Sequence, residues 1–243
     1  MEDNNEVKNE ETTNKGKYDK MILCIIMFST ISVIIVTAIL GIIIYDCISN
    51  NTADKILEQL QPLKPIIYLY PQETTEITVK LGNKENITCS YPEYNEGWKV
   101  IAEPNGTLTD VRTQRKLYAL YWEGKNMTQP EMTEGFIVKG QDTIKFLEEK
   151  LEILGLNEKE SQEFIIYWLP KMQNNAYNYI RFATLEEINN YMPLELSVEP
   201  DSLIRVLMQY KTLNEYVEVK EQELVTPQRN GFTVVEWGGT EIK

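Results

Sequence analysis

The chain has 243 residues, 42% of them apolar, which supplies a sizeable hydrophobic core and argues against wholesale disorder. Acids outnumber Lys and Arg by 37 to 24, a net charge of −13, so the basic face that a nucleic-acid binder turns to phosphate is not expected. Histidine is absent, which excludes Ser-His-Asp and Cys-His nucleophiles, His-ligated zinc and an imidazole pH switch.

Residues 1–20 carry four lysines and six acids and read as a disordered polar tail. Met21 to Tyr45 follow without a charge over 25 positions. As a helix this run is about 37 Å long, against a hydrocarbon core of roughly 30 Å. It predicts a transmembrane helix, with the lipid bilayer as its partner. The run is long for a signal peptide, and no small-x-small cleavage site follows it. Lys8, Lys15, Lys17 and Lys20 precede it, and only Lys55 and Lys64 follow closely, which predicts a cytosolic N-terminus and the bulk of the chain outside. Past the span the net charge is −11.

Residues 46–63 read as a juxtamembrane stalk, ended by Pro62 and Pro65. Residues 64–243 then read as one extracytoplasmic domain. Cys47 at the outer boundary and Cys89 in the domain give no intradomain disulfide framework. N-x-Ser/Thr sequons stand at Asn50, Asn86, Asn105 and Asn126; in a eukaryotic host the last three are expected glycosylation sites, Asn50 lying too near the bilayer.

Within the domain, strands are expected at 66–70, 77–81, 87–91, 98–102 and 117–122, spaced by Pro and Asn-Gly turn signals as in an antiparallel sandwich or barrel. A helix follows with Asp142 as N-cap, Ile144, Leu147, Leu151 and Leu154 on one face, and Gly155 at C′. Asn157 and Glu160 then make a capping box for a second helix, buried through Phe164, Ile165, Trp168 and Leu169 and stopped by Pro170. Strands return at 177–183, 194–198, 203–210, 215–219 and 232–237, with a short helix at 185–191. The fold class is α+β: a sandwich-like β-rich first part, a helical hairpin and C-terminal strands, preceded by one transmembrane helix. The helices pack on a sheet, or the two β parts are intimately joined subdomains.

The chemistry on offer is aromatic and acidic. The chain holds 14 Tyr, 4 Trp and 6 Phe. Tyr94, Trp98, Trp122 and Trp237 stand beside carboxylates and amides, as in a carbohydrate site where ring faces pack on sugar C–H groups. The competing reading puts the same rings in a sandwich core. Glu123 and Glu236 each adjoin a tryptophan, whose apolar ring would raise a carboxyl pKa and suit it to general-acid work, as a glycosidase requires of its paired carboxylates. Arg181 and Arg205 lie in apolar strands and either point outward or find acids as ion-pair partners, with anion capture as the lesser reading. No metal motif, phosphate loop or nucleophile motif is present, so neither metal nor cofactor is expected.

Lys64-Pro65-Ile66-Ile67-Tyr68-Leu69-Tyr70-Pro71, Tyr91-Pro92-x-Tyr94-x-x-Gly97-Trp98, Pro104-x-Gly106-Thr107-Leu108 and Tyr121-Trp122-Glu123-Gly124 resemble a known family. So do Gly135-Phe136-x-Val138, Phe164-Ile165-x-Tyr167-Trp168-Leu169-Pro170 and the 231–239 segment GFTVVEWGG. The chain is similar to the mostly bacterial proteins that carry a KPVIYLYP-type segment behind an N-terminal signal or anchor, a family without an established activity. The resemblance covers nearly all of 64–243 and implies an exported or anchored location, but no catalytic residue. The expected function is a membrane-tethered surface domain binding a glycan or a protein partner. A carboxylate-dependent hydrolase and a structural envelope anchor are the alternatives.

Overall fold

The structure, a computed structural model, describes residue 27 and residues 35–46, 64–125 and 131–242. The chain divides into two units, Met1–Glu58 and Gln59–Lys243. In the first, residues 35–46 form helix α1, its side chains exposed throughout. It overlaps the expected span at 35–45. Apart from Met27, the rest of that span lies outside the described residues, as do the tail and residues 47–63 of the stalk. Among the described residues, no helix is long and apolar enough to cross a membrane.

The second unit is α+β. Its first strands are β1 (Ile66–Tyr70), β2 (Thr75–Leu81), β3 (Ile87–Tyr91), β4 (Trp98–Ala102), β5 (Leu108–Asp110), β6 (Lys116–Leu117), β7 (Leu120–Gly124) and β8 (Glu134–Lys139). Helices α2 (Thr143–Ile153) and α3 (Glu158–Met172) follow, then β9 (Tyr177–Phe182), α4 (Leu185–Tyr191), β10 (Leu194–Leu196), β11 (Ser202–Leu213), β12 (Lys220–Glu221) and β13 (Thr233–Glu241). One sheet runs β12-β8-β9-β11-β13-β1-β7-β3, and the other β10-β2-β4-β5-β6.

The alternation of side chains along the large sheet builds two cores. Ile66 and Tyr68 of β1, Val206 and Met208 of β11, and Val235 and Trp237 of β13 pack with Leu147 and Leu151 of α2 and with Phe164, Trp168 and Met172 of α3. The intervening Ile67, Leu69, Leu120, Trp122 and Val234 pack instead with Ile77, Val79, Val100, Ala102 and Leu108 of the smaller sheet. Helices, large sheet and small sheet are therefore three layers. The N- and C-terminal strands share one sheet, because β13 pairs antiparallel with β1 and parallel with β11. Two separate subdomains are thus not formed.

Local signals explain the helical hairpin. Gly155, at φ +85°, ends α2; its N–H donates to the Glu152 carbonyl and that of Leu156 to the Leu151 carbonyl, a Schellman pattern. Asn157 and Glu160 form the expected capping box on α3. Four expectations change. Asp142 ends a 3₁₀ turn (Gly140–Asp142) and makes no side-chain cap bond to α2. Helix α3 continues through Pro170 to Met172, because Pro170 is exposed and the bond it cannot donate would fall on the solvent face, beside the exposed Ile166. Residues 215–219 form no strand; Tyr216 and Val217 are exposed, so no neighbouring face draws them into a ladder. The 117–122 strand divides into β6 and β7, which belong to different sheets.

Candidate functional site

The aromatic candidates are interior. Trp98 and Trp122 are each 2% exposed and Trp237 is fully buried. Tyr94 and Trp98 lie in the core between the sheets as an edge-to-face pair, centroids 4.8 Å apart. The Trp98 indole donates to the Pro92 carbonyl at 2.7 Å, and the Tyr94 hydroxyl accepts from the Leu81 N–H at 2.7 Å. Trp122 shares that core, whereas Trp237 lies across the large sheet in the helix-side core and donates to the Tyr68 hydroxyl at 3.1 Å. The four rings do not share a cleft.

Trp122 and Glu236 do meet. The indole N–H donates to Glu236 Oε1 at 3.0 Å, and Arg205 Nε donates to Oε2 at 2.6 Å. The remaining guanidinium donors reach Asn189 Oδ1 at 2.6 Å and the Met192 carbonyl at 2.9 Å. The side chains of Arg205 and Glu236 are 0% and 5% exposed. A cavity of about 20 Å³ adjoins them, room for about one water. Arg181 likewise pairs with an acid, reaching both Glu187 oxygens and Gln209. Sequence leaves these partners unnamed because ion pairs across a fold have no spacing rule. A third pair, half-buried Arg229 with fully buried Glu160, has no such signal at all.

Glu123 lies elsewhere. In β7, Leu120 and Trp122 face the small sheet, so Tyr121 and Glu123 face the opposite side, with α3. Both Glu123 oxygens accept from the Lys64 backbone N–H at 3.2 Å, and Oε1 accepts from the Tyr121 hydroxyl at 2.9 Å. On the same side the Tyr68 hydroxyl donates to Glu163 of α3 at 2.6 Å, and the Lys64 ammonium rests 4.0 Å from the Tyr167 ring centre. Tyr68 stacks on Tyr70 at 6.3 Å and approaches Tyr118 at 6.4 Å. Tyr118 is 53% exposed, and Tyr121 and Tyr167 are half-buried.

The result is a surface patch of tyrosines around two carboxylates, with the ammonium groups of Lys64 and Lys171 on the Tyr167 ring and that of Lys159 on the Tyr118 ring. Burial, then the hydrogen bond and charge of Glu163, push the Tyr68 phenol far above its ordinary range. Burial and then the Glu123 charge push Tyr121 well up too, and raise Tyr167 in the same direction. These phenols therefore remain protonated donors at neutral pH. Burial also holds the Lys64 ammonium below its ordinary pKa, against the charges of Glu163 and Glu123. Lys64, Tyr68, Tyr118, Tyr121, Glu163 and Tyr167 are absent from the sequence-derived candidates. The signal for part of this set was the Tyr68/Tyr70 alternation, which puts both rings on one face.

Among the described residues, no three metal-ligating side chains cluster. Asn105 is exposed in the β4–β5 turn and Asn86 is half-buried in a 3₁₀ turn, while Asn50 and Asn126 lie outside the described residues. Cys89 is an exposed free thiol on β3.

Fold and patch together define a three-layer α+β domain with a tyrosine-and-carboxylate surface. No family model matches the chain, and no solved structure matches it. It is similar to an uncharacterized protein in the bglA 3′ region of Butyrivibrio fibrisolvens, with 46% identity over 65 residues. Those residues are 26% of this chain and 66% of that protein, just under two thirds of its length.

Proposed function

We propose that the chain is a single-pass membrane-tethered protein whose 64–243 domain acts outside the cytosol as a glycan-binding module. The charge-free run 21–45, the lysines before it and the resemblance to KPVIYLYP-segment proteins support the tether and its direction. The observation that carries the binding reading is the patch itself. Tyr118, Tyr121 and Tyr167 present ring surface on the same side as Glu123 and Glu163. Ring faces suit sugar C–H groups, and phenols with carboxylates suit sugar hydroxyls.

The hydrolase alternative has less support. Glu123 and Glu236 occupy opposite faces of the large sheet and cannot flank one glycosidic bond. Glu236 is committed to Arg205 and Trp122.

A glycan array probed with the full chain in detergent micelles tests the binding reading. The expected result is selective binding that falls at least tenfold in Tyr118→Ala and Tyr167→Ala. Failure to bind any glycan, or variants that bind as the parent does, overturns it. Protease added to intact cells is expected to cut within 64–243; protection of that region overturns the placement.

A further inference from the structure

We infer that the niche occupied by the Lys64 ammonium is a binding site for the primary amine of a ligand, a glycan bearing free amino groups, with Lys64 as its internal competitor. This deepens the glycan-binding reading and rests on it.

The chain supplies its own probe of the niche. The Lys64 ammonium lies 4.0 Å from the Tyr167 ring centre and 5.9 Å from that of Trp237, within the range of cation–π attraction. The charges of Glu163 and Glu123 favour it there. Both carboxylates are positioned from behind by phenols, Tyr68 on Glu163 and Tyr121 on Glu123. A ring face and two anchored carboxylates form the environment that recognises an alkylammonium.

Lys64 reaches this place from a strained backbone. Its φ of +43° lies in the left-handed region that a non-glycine residue visits with strain, and the Glu123 carboxylate grips its backbone N–H in that conformation. Burial, together with the charge of Lys171, disfavours its ammonium more than the two carboxylates restore. A second ammonium, that of Lys171, lies 4.9 Å from the same Tyr167 ring and repels it. A ligand ammonium meets the same desolvation and the same Lys171 charge, so exchange is a competition between two ammonium groups for one ring face.

The rim selects a sugar over a lysine-bearing peptide. β1 and β7 beneath the patch are each paired on both sides, so they offer no strand edge for a peptide to extend. The rim instead offers the Tyr118, Tyr121 and Tyr167 rings, with the Lys159 ammonium 4.5 Å from the Tyr118 ring centre, and the net charge of −11 past residue 45 draws in a polycation only at longer range.

The test titrates the full chain in detergent micelles with a glucosamine oligomer, its N-acetylated counterpart and a lysine-rich peptide. The pH is kept low enough for the sugar amine to be protonated. Calorimetry is expected to give at least tenfold tighter binding of the free-amine oligomer than of the acetylated one. Lys64→Met, which keeps the side-chain stem and removes the competitor, is expected to tighten it several-fold further, and Glu163→Gln to weaken it about tenfold. In the unaltered chain the Lys64 ε-methylene NMR resonance, shifted by the Tyr167 ring, is expected to move to its ordinary position on saturation. Equal affinity for the two oligomers, or an unmoved Lys64 resonance, overturns the inference. So does tighter binding of the peptide. If acetylated or neutral glycans bind through Tyr118 while a free amine adds nothing, the inference fails and the binding module stands. If no glycan binds, both fail.

Discussion

Trp122 reaches over β1 to donate its indole N–H to Glu236 at 3.0 Å, a bond across 114 positions of sequence between strands that are not neighbours in the sheet. The bond completes a buried cluster in which Glu236 balances Arg205. Glu236→Gln leaves the guanidinium buried and unbalanced, so a loss of about 3–5 kcal/mol is expected. Arg205→Met combined with Glu236→Gln is expected to cost less than the two single changes together. Denaturant midpoints of the three variants check this, and additive losses would count against a coupled pair.

The pH profile of stability follows from the missing histidine. With no imidazole to titrate, stability is expected to be flat across the neutral range. Tyr68, Tyr121 and Tyr210 have phenols raised chiefly by burial, so the fold favours their protonated forms. Their contribution is complete below the unfolded tyrosine value of about 10 and is lost as pH rises through it towards the folded values. On the acid side, burial raises the Glu187 carboxyl, but the Arg181 hydrogen bonds and the Thr184 cap outweigh it and leave it depressed. That contribution is present above the ordinary glutamate value and is lost as pH falls through Glu187's own. Thermal midpoints against pH, with Glu187→Gln expected to flatten the acid limb, test both signs.

Glu160 has two tasks. It accepts from the Asn157 backbone in the capping box at 2.8 Å and pairs with Arg229 at 2.8 Å. Asn157→Ala removes only a cap and is expected to cost about 1 kcal/mol. Glu160→Ala also leaves Arg229 without its carboxylate and is expected to cost more. Urea titrations rank the two, and equal losses would show that the Arg229 pair adds nothing.

Gly106 turns β4 into β5 at φ +84°, and a Cβ there would lie 2.7 Å from the Tyr70 ring. Gly106→Ala therefore meets both backbone strain and a ring that is itself stacked on Tyr68. A loss of about 1–3 kcal/mol is expected, together with a changed near-ultraviolet tyrosine spectrum. A spectrum identical to the parent's would mean the ring had not moved.

What the sequence revealed was what is local. The Gly155 terminator, the Asn157–Glu160 box and helix 185–191 depend on neighbours within a few positions, and all are present. Partnership across the fold was not legible. β5 has only three residues, too few for an alternation to stand out. The 215–219 stretch has strand-like residues but no neighbouring face to bury them. Rings beside acids at Trp122-Glu123 and Glu236-Trp237 resembled paired sites. In a strand, though, consecutive residues face opposite ways, so each glutamate left its sequence neighbour for the far side of the sheet. The patch escaped notice because Lys64, Tyr118, Glu163 and Tyr167 come from separate elements that only the packing of α3 brings together.

Among the described residues β13 follows every other strand, yet it lies at the centre of the large sheet, between β11 and β1. Until residues 233–241 leave the ribosome, that sheet exists only as two fragments, β12-β8-β9-β11 and β1-β7-β3, each with an open inner edge. A chain interrupted before that point would carry two adhesive edges and half-covered cores on either side of them. Folding is thereby ordered: the two fragments of the large sheet can join only once residues 233–241 are available to lie between them.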